Sequence, residues 1–321
     1  VMGIQIVRYI KNDDVRWGVL SEEKVFDIDN ESSTLAEFLK EGPGQAKSTL
    51  QDASAESYSL NDVKLASPVT KPSTITCQGA NYSSHRQESG MTAERPEFNL
   101  IFGKAESSLC GYDDDVIRPK GVKLLDYEIE LGLVIKNEIN QPVTVTEENL
   151  HQYIAGFVIM NDISARDVQL PEGQWLRGKS YRTFAPAGPY LYIPEDDEFS
   201  AVHDLDLNLW VNDELRQSAN TNQLLFKPEE TLTELSEVMD FSPGDVLLTG
   251  TPGGVAMNLS KEQIEAATKI TSSLSEKIKG FVEAQADNKN YLKDGDIVRA
   301  SIKSPDGTVD LGEQRNKIVS G

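Results

Sequence analysis

The 321-residue chain carries 52 Asp and Glu against 31 Lys and Arg, a formal net charge of -21. So negative a field disfavours nucleic acid and anionic lipid as partners, since both recruit clustered Lys and Arg, and it suits ligands held through hard cations. Two cysteines in no Cys-x-x-Cys spacing, Cys77 and Cys110, and only three histidines argue against a disulfide framework or a zinc cluster. The compartment is expected to be reducing and cytoplasmic. No stretch approaches the ~20 apolar residues of a membrane span, and Val1-Met2-Gly3-Ile4-Gln5 lacks the basic and apolar regions of a secretory signal.

In chain order, residues 3–10 and 16–28 read as short strands joined at the turn-rich Lys11-Asn12-Asp13-Asp14. Thr34-Leu35-Ala36-Glu37 is a capping box opening a helix through Lys40, which Gly42 and Pro43 close. Residues 1–70 thus make a small α+β unit, bounded by a Pro-punctuated connector at 66–73. Residues 74–77 predict a strand, followed by a segment in which His85 and Glu88 stand at i, i+3. In a helical turn that spacing puts them on one face, where they are either an incidental exposed pair or an imidazole made more basic by its carboxylate. Residues 98–104 read as a strand ending in Lys104, a solvated lysine or the counter-charge of a substrate anion.

The stretch Asp126-Tyr127-Glu128-Ile129-Glu130-Leu131 decides most. Alternation puts Asp126, Glu128 and Glu130 on one face of a strand, where they would repel one another unless water screens them or a cation joins them. The pattern alone fits a solvent-facing edge or a metal site; the apolar Leu133-Val134-Ile135 beyond it favours a buried strand. Thr146 is expected to cap a short helix through Tyr153. An apolar strand over residues 154–161 then delivers Asp162 at its tip, and Lys179 follows beside Trp175 as a second candidate cation.

Residues 205–211 alternate apolar and polar up to a turn at Asn212-Asp213, and residues 228–239 form an amphipathic helix with an acidic first turn. The glycine-rich Thr249-Gly250-Thr251-Pro252-Gly253-Gly254-Val255 allows close approach to a ligand, but no Lys-Ser or Lys-Thr follows, so it is not a Walker loop. Ser260-Lys261-Glu262-Gln263 caps one long or two shorter helices over residues 261–286. Asp306-Gly307 marks a hairpin before the last strand.

Taken in order, Gly79-x-Asn81-Tyr82-x-x-His85-x-x-Glu88, Tyr127-Glu128-Ile129-Glu130-Leu131, Asn161-Asp162-Ile163-Ser164-Ala165-Arg166-Asp167, Gly178-Lys179-Ser180 and the Thr249 to Val255 loop resemble the fumarylacetoacetate hydrolase family. The resemblance runs from about Ser73 to the end. It implies an α+β, β-rich fold, a layered roll of mixed β-sheets, in a catalytic domain over residues 71–321. Residues 1–70 would be an accessory domain, and the assembly a homodimer. It further implies Glu128, Glu130 and Asp162 as ligands of one divalent cation, Mg2+ first with Mn2+ or Ca2+ as alternatives, and a small 2-oxo acid as substrate. His85 with Glu88 would activate water, Lys179 would offset developing negative charge, and Tyr82, Arg166, Gln169 and Thr251 would hold the substrate.

The implied reaction is hydrolysis of a carbon–carbon bond in a β-diketo acid of acylpyruvate or fumarylpyruvate type. Decarboxylation of oxaloacetate and isomerisation of a hydroxymuconate-type diacid are alternatives on the same scaffold, and a cation held only structurally is a third reading. Residues 257–290 form a helical insertion longer than the family pattern, whose apolar stripe would cover the site, pack on a dimer partner or decorate the surface, the last two being favoured.

Overall fold

The computed structural model describes residues 2–321. Its centre is a 13-stranded mixed sheet in which Ile129–Ile135 pairs antiparallel with Ile154–Asn161 on one side and with Val246–Leu248 on the other. Val246–Leu248 runs parallel to Ile75–Gly79, which pairs with the edge strand Leu100–Lys104. Every residue of Ile129–Ile135 and Ile154–Asn161 is buried, as expected of strands covered on both faces and written as nearly unbroken apolar runs. A five-stranded sheet of Glu214–Asn220, Asp206–Val211, Ile297–Lys303, Asp310–Ser320 and Val116–Arg118 packs over it. Leu131, Leu133 and Phe157 of the first sheet share one core with Leu207, Leu209 and Ile302 of the second. This is the layered, β-rich α+β architecture the sequence implied.

The N-terminal unit joins that sheet. Ile4–Lys11 pairs with Leu191–Ile193, and Ile6, Trp17 and Phe38 share a core with Val134, Val158 and Val246. The connector at residues 66–73 therefore separates segments of sequence that share one sheet and one core.

Several local expectations change. The helix Leu35–Gln51 runs through Gly42 and Pro43 instead of ending there. Proline forfeits one backbone hydrogen bond, but continuing adds Ala46 to the core that Leu35 and Phe38 already share, where Trp17 stacks on Phe38 with centroids 4.4 Å apart. A side chain at Gly42 would strike the Phe38 ring, its Cβ falling 2.3 Å from a ring carbon. Asn149, not Thr146, precedes the short helix Leu150–Tyr153; the Asn149 side chain instead accepts the Thr146 N–H at 2.7 Å. The edge strand starts at Leu100. Residues 16–28 are two strands, Asp14–Ser21 and Lys24–Asp27, turning at Glu22 and Glu23 with positive φ of 50° and 63°. Asn12-Asp13 and Asn212-Asp213 turn in the same left-handed conformation, as hairpins of this type require. Lys261–Thr268 and Leu274–Ala284 are two helices, each opened by a capping box. No helix among the described residues is long and apolar enough to cross a membrane.

Candidate active site

The acidic stretch is broken. Leu125–Asp126 pairs with Ser164–Ala165 in a sheet of its own, and the central strand begins only at Ile129. Asp126 consequently parts from Glu128 and Glu130. Its carboxylate accepts from the backbone N–H groups of Tyr127, Ala256 and Met257 and from Arg166 Nε at 2.8–3.0 Å, which leaves no oxygen for a metal. It fastens the end of the glycine-rich loop to Arg166.

Glu128, Glu130 and Asp162 each place an oxygen within 4.8 Å of the other two, and all three are buried. The backbone holds this arrangement: Glu128 N–H donates to Asn161 Oδ1 at 2.9 Å, and Asp162 N–H donates to Glu128 O at 2.8 Å. Cations surround the trio. Lys104 Nζ reaches Asp162 Oδ1 at 2.5 Å, and Lys179 Nζ reaches Asp162 Oδ2 at 2.8 Å and Glu128 Oε2 at 3.2 Å. Arg166 Nη2 lies 2.8 Å from Glu128 Oε1. Lys104 is thus no solvated lysine; Asp162, delivered from another strand, keeps it 4% exposed.

The charges decide the protonation states. Burial raises the Glu128 carboxyl, but Lys179 and Arg166 overcome it and hold the group down at about 2. Glu130 goes the other way: burial, then the charges of Asp162 and Glu128, push it well above the ordinary carboxylate range. Only Gly250 N–H satisfies Glu130, at Oε2 and 3.1 Å, while Oε1 is buried with no hydrogen-bond partner. An orphaned carboxylate oxygen beside two other carboxylates fits a hard divalent cation, whose ligands are oxygens. Burial lowers Lys179, yet Asp162 and Glu128 outweigh it and keep the ammonium charged.

A cavity of about 310 Å3 opens beside the trio, and His85, Glu128, Arg166, Gln169, Lys179 and Thr251 all border it. His85 lies on the helix Ser83–Glu88, its Nδ1 2.8 Å from Glu88 Oε1. Glu88 Oε2 accepts the N–H of Gly254 at 2.9 Å. Gly254 has φ +104°, and a Cβ there would lie 1.8 Å from the Arg216 carbonyl oxygen, so only glycine presents this donor. Arg166 Nη1 donates to Gln169 Oε1 at 3.0 Å, leaving the Gln169 amide nitrogen for a ligand.

Two expected substrate contacts change. Tyr82 does not border the cavity; its hydroxyl is fully buried, without a hydrogen-bond partner, and pushed up by burial and then by the charge of Glu130. Thr251 borders the cavity, but its hydroxyl donates to Ile129 O and accepts from Gln217 Nε2, both at 2.8 Å, so it has no proton for a substrate carboxylate. The insertion takes the less favoured of its expected roles: Met257, Ile264 and Thr268 form part of the cavity wall, so the helix Lys261–Thr268 covers the site. Gln217 had no signal in the sequence. It is fully buried in the second sheet and holds the loop by donating to Thr251 Oγ1 and Pro252 O and accepting from Ile129 N–H.

The family model for the C-terminal domain of fumarylacetoacetate hydrolase matches residues 74–319. The chain belongs to the fumarylacetoacetate hydrolase family. The mitochondrial oxaloacetate tautomerase Fahd2a of Rattus norvegicus is 39% identical over 228 residues, covering 70% of each chain. The fumarylacetoacetate hydrolase domain-containing protein 2 homolog of Dictyostelium discoideum is 29% identical over 326 residues, covering 94% of each. Among solved structures, fumarylacetoacetate hydrolase from psychrophilic Exiguobacterium antarcticum superposes with a TM-score of 0.76 at 28% identity, covering 99% of this chain and all of that one. Within a fumarylacetoacetate hydrolase-type enzyme, the buried carboxylates and the His85–Glu88 pair are the groups with chemistry to offer.

Proposed function

We propose that the chain is a divalent-metal-dependent hydrolase cleaving the carbon–carbon bond of a β-diketo acid of acylpyruvate type. The observation that carries this is the His85–Glu88 contact of 2.8 Å in the wall of the cavity that Glu128 also borders. Glu128, Glu130 and Asp162 would hold the cation, with Mg2+ the natural occupant of an all-carboxylate set and Mn2+ or Ca2+ its alternatives. When bound, such an ion polarises the keto oxygen of a 2-oxo acid and offsets charge that develops there.

The protein's own groups do the rest. Glu88 accepts from His85 Nδ1, so Nε2 is left unprotonated and able to take a proton from water. The hydroxide so formed adds to the distal carbonyl carbon. The bond from that carbon to the methylene carbon breaks, its electron pair passing into the enolate of pyruvate. The proton on His85 then goes to the methylene carbon, giving pyruvate and a carboxylic acid. Lys179, kept charged in its buried place, offsets part of the enolate charge, while Arg166 and Gln169 orient the 2-oxo carboxylate.

A second reading is favoured by the 39% identity to a protein named oxaloacetate tautomerase. There His85 would carry a proton between oxygen and carbon of one substrate, and no water would attack; decarboxylation of oxaloacetate is the related alternative. Product analysis on acetylpyruvate, fumarylpyruvate and oxaloacetate, with and without Mg2+ after chelator treatment, separates them. Acetate and pyruvate from acetylpyruvate support hydrolysis. Turnover of oxaloacetate alone overturns it. A homodimer is the proposed assembly, to be read from light scattering.

A further inference from the structure

The cavity is two-sided. Its inner end carries Glu128, Arg166 and Lys179, whereas its outer wall includes Leu100, Phe102, Leu170, Trp175, Met257 and Ile264. Phe102 and Trp175 meet edge to face with centroids 5.0 Å apart, and Lys179 Nζ lies 5.0 Å from the Phe102 centroid, so the aromatic pair begins where the charged end stops. Apart from His85, which is committed to Glu88, the cationic side chains bordering the cavity are Arg166 and Lys179. Both are turned to the inner end: Arg166 towards Asp126, Glu128 and Gln169, Lys179 towards Asp162 and Glu128. A second carboxylate at the outer end would be taken from water into an apolar wall with no cation to receive it, and that desolvation is costly.

We propose that the outer wall is a subsite for an uncharged, apolar distal group, alkyl or aryl, so that the substrates are acylpyruvates with a hydrophobic acyl arm rather than diacids. This rests on the reading that a 2-oxo acid binds at the carboxylate trio.

The test reads binding, so it does not depend on which reaction follows. Calorimetry in Mg2+ would compare 2-oxobutanoate, 2-oxohexanoate, 2-oxo-4-phenylbutanoate and 2-oxoglutarate on the whole protein. The expected result is about fourfold tighter binding per buried methylene, and 2-oxo-4-phenylbutanoate at least about tenfold tighter than 2-oxoglutarate. Ile264→Arg, on the surface helix Lys261–Thr268, should narrow or reverse that ratio by giving the diacid a cation. A wild-type preference for 2-oxoglutarate, or equal affinities, overturns the subsite and leaves the 2-oxo acid reading intact. Binding of none of the four overturns both.

Discussion

Glu88→Gln is the sharpest probe of the assigned base, because the two oxygens of Glu88 are used differently. One faces His85 Nδ1 at 2.8 Å, and the other accepts the fixed N–H of Gly254 at 2.9 Å. Glutamine has one acceptor oxygen and one NH2. If its oxygen keeps the Gly254 bond, the NH2 faces His85, Nδ1 must accept, and the proton moves to Nε2, where it blocks attack on water. If the amide is turned over, NH2 points at the Gly254 N–H, donor against donor, and that orientation loses. The substitution therefore preserves shape while enforcing the wrong tautomer. Tautomer errors and lost general bases cost about 10²- to 10⁴-fold in kcat, or about 3–5 kcal/mol of barrier. KM should move little, since Glu88 does not border the cavity. Steady-state kinetics on an acylpyruvate, beside a melting curve, reads both. A Glu88→Gln enzyme with kcat within about threefold of wild type would refute the assignment, since a base loses at least about 10²-fold.

Other consequences follow from burial. Lys104→Met leaves Asp162 Oδ1 without its ammonium in a fully buried site, which costs about 3–5 kcal/mol; an unchanged melting temperature would contradict that. Glu130→Gln removes the carboxyl whose ionisation burial and the charges of Asp162 and Glu128 penalise. The metal-free protein should melt higher, and the stabilisation that saturating Mg2+ gives, about 2.7 kcal/mol at a hundredfold excess over Kd, should shrink; calorimetric melts with and without Mg2+ would show both or neither. Trp17→Ala opens a cavity under Phe38 and should cost about 3–5 kcal/mol. Because that core is shared with Val134 and Val246, one cooperative transition should shift whole; a separate early transition for the N-terminal residues would show that they fold apart.

What could be read from the sequence was local or ordered along it. The i, i+3 spacing of His85 and Glu88, the apolar runs of the two central strands, and Asp162 at the end of one of them are all properties of short segments. What could not be read depends on partners far away in the chain. Lys104 looked like a surface lysine because its partner, Asp162, lies 58 residues on. Gln217 lies in an ordinary alternating strand, and its three bonds reach residues 34, 35 and 88 positions away. Asp126 followed the strand rule of alternate faces only until the backbone broke at Tyr127, where the draw of Arg166 and two loop N–H groups replaced a place among the ligands.

The same asymmetry explains why the reaction type is harder to read than the site. The inner end of the cavity is over-determined: seven buried charged groups, four acidic and three basic, fix one another through short contacts, and moving any one strands another in a medium that penalises lone charge. The outer wall has no such constraint. Leu100, Phe102, Trp175 and Ile264 are only half-buried, touch a cavity on one side, and can exchange size and polarity at modest cost to the fold. On the proposed reading, substitution there would change which acyl arm fits and leave the inner end untouched. The proposed substrate preference thus rests on the outer wall, to which the helix Lys261–Thr268 contributes Ile264 and Thr268.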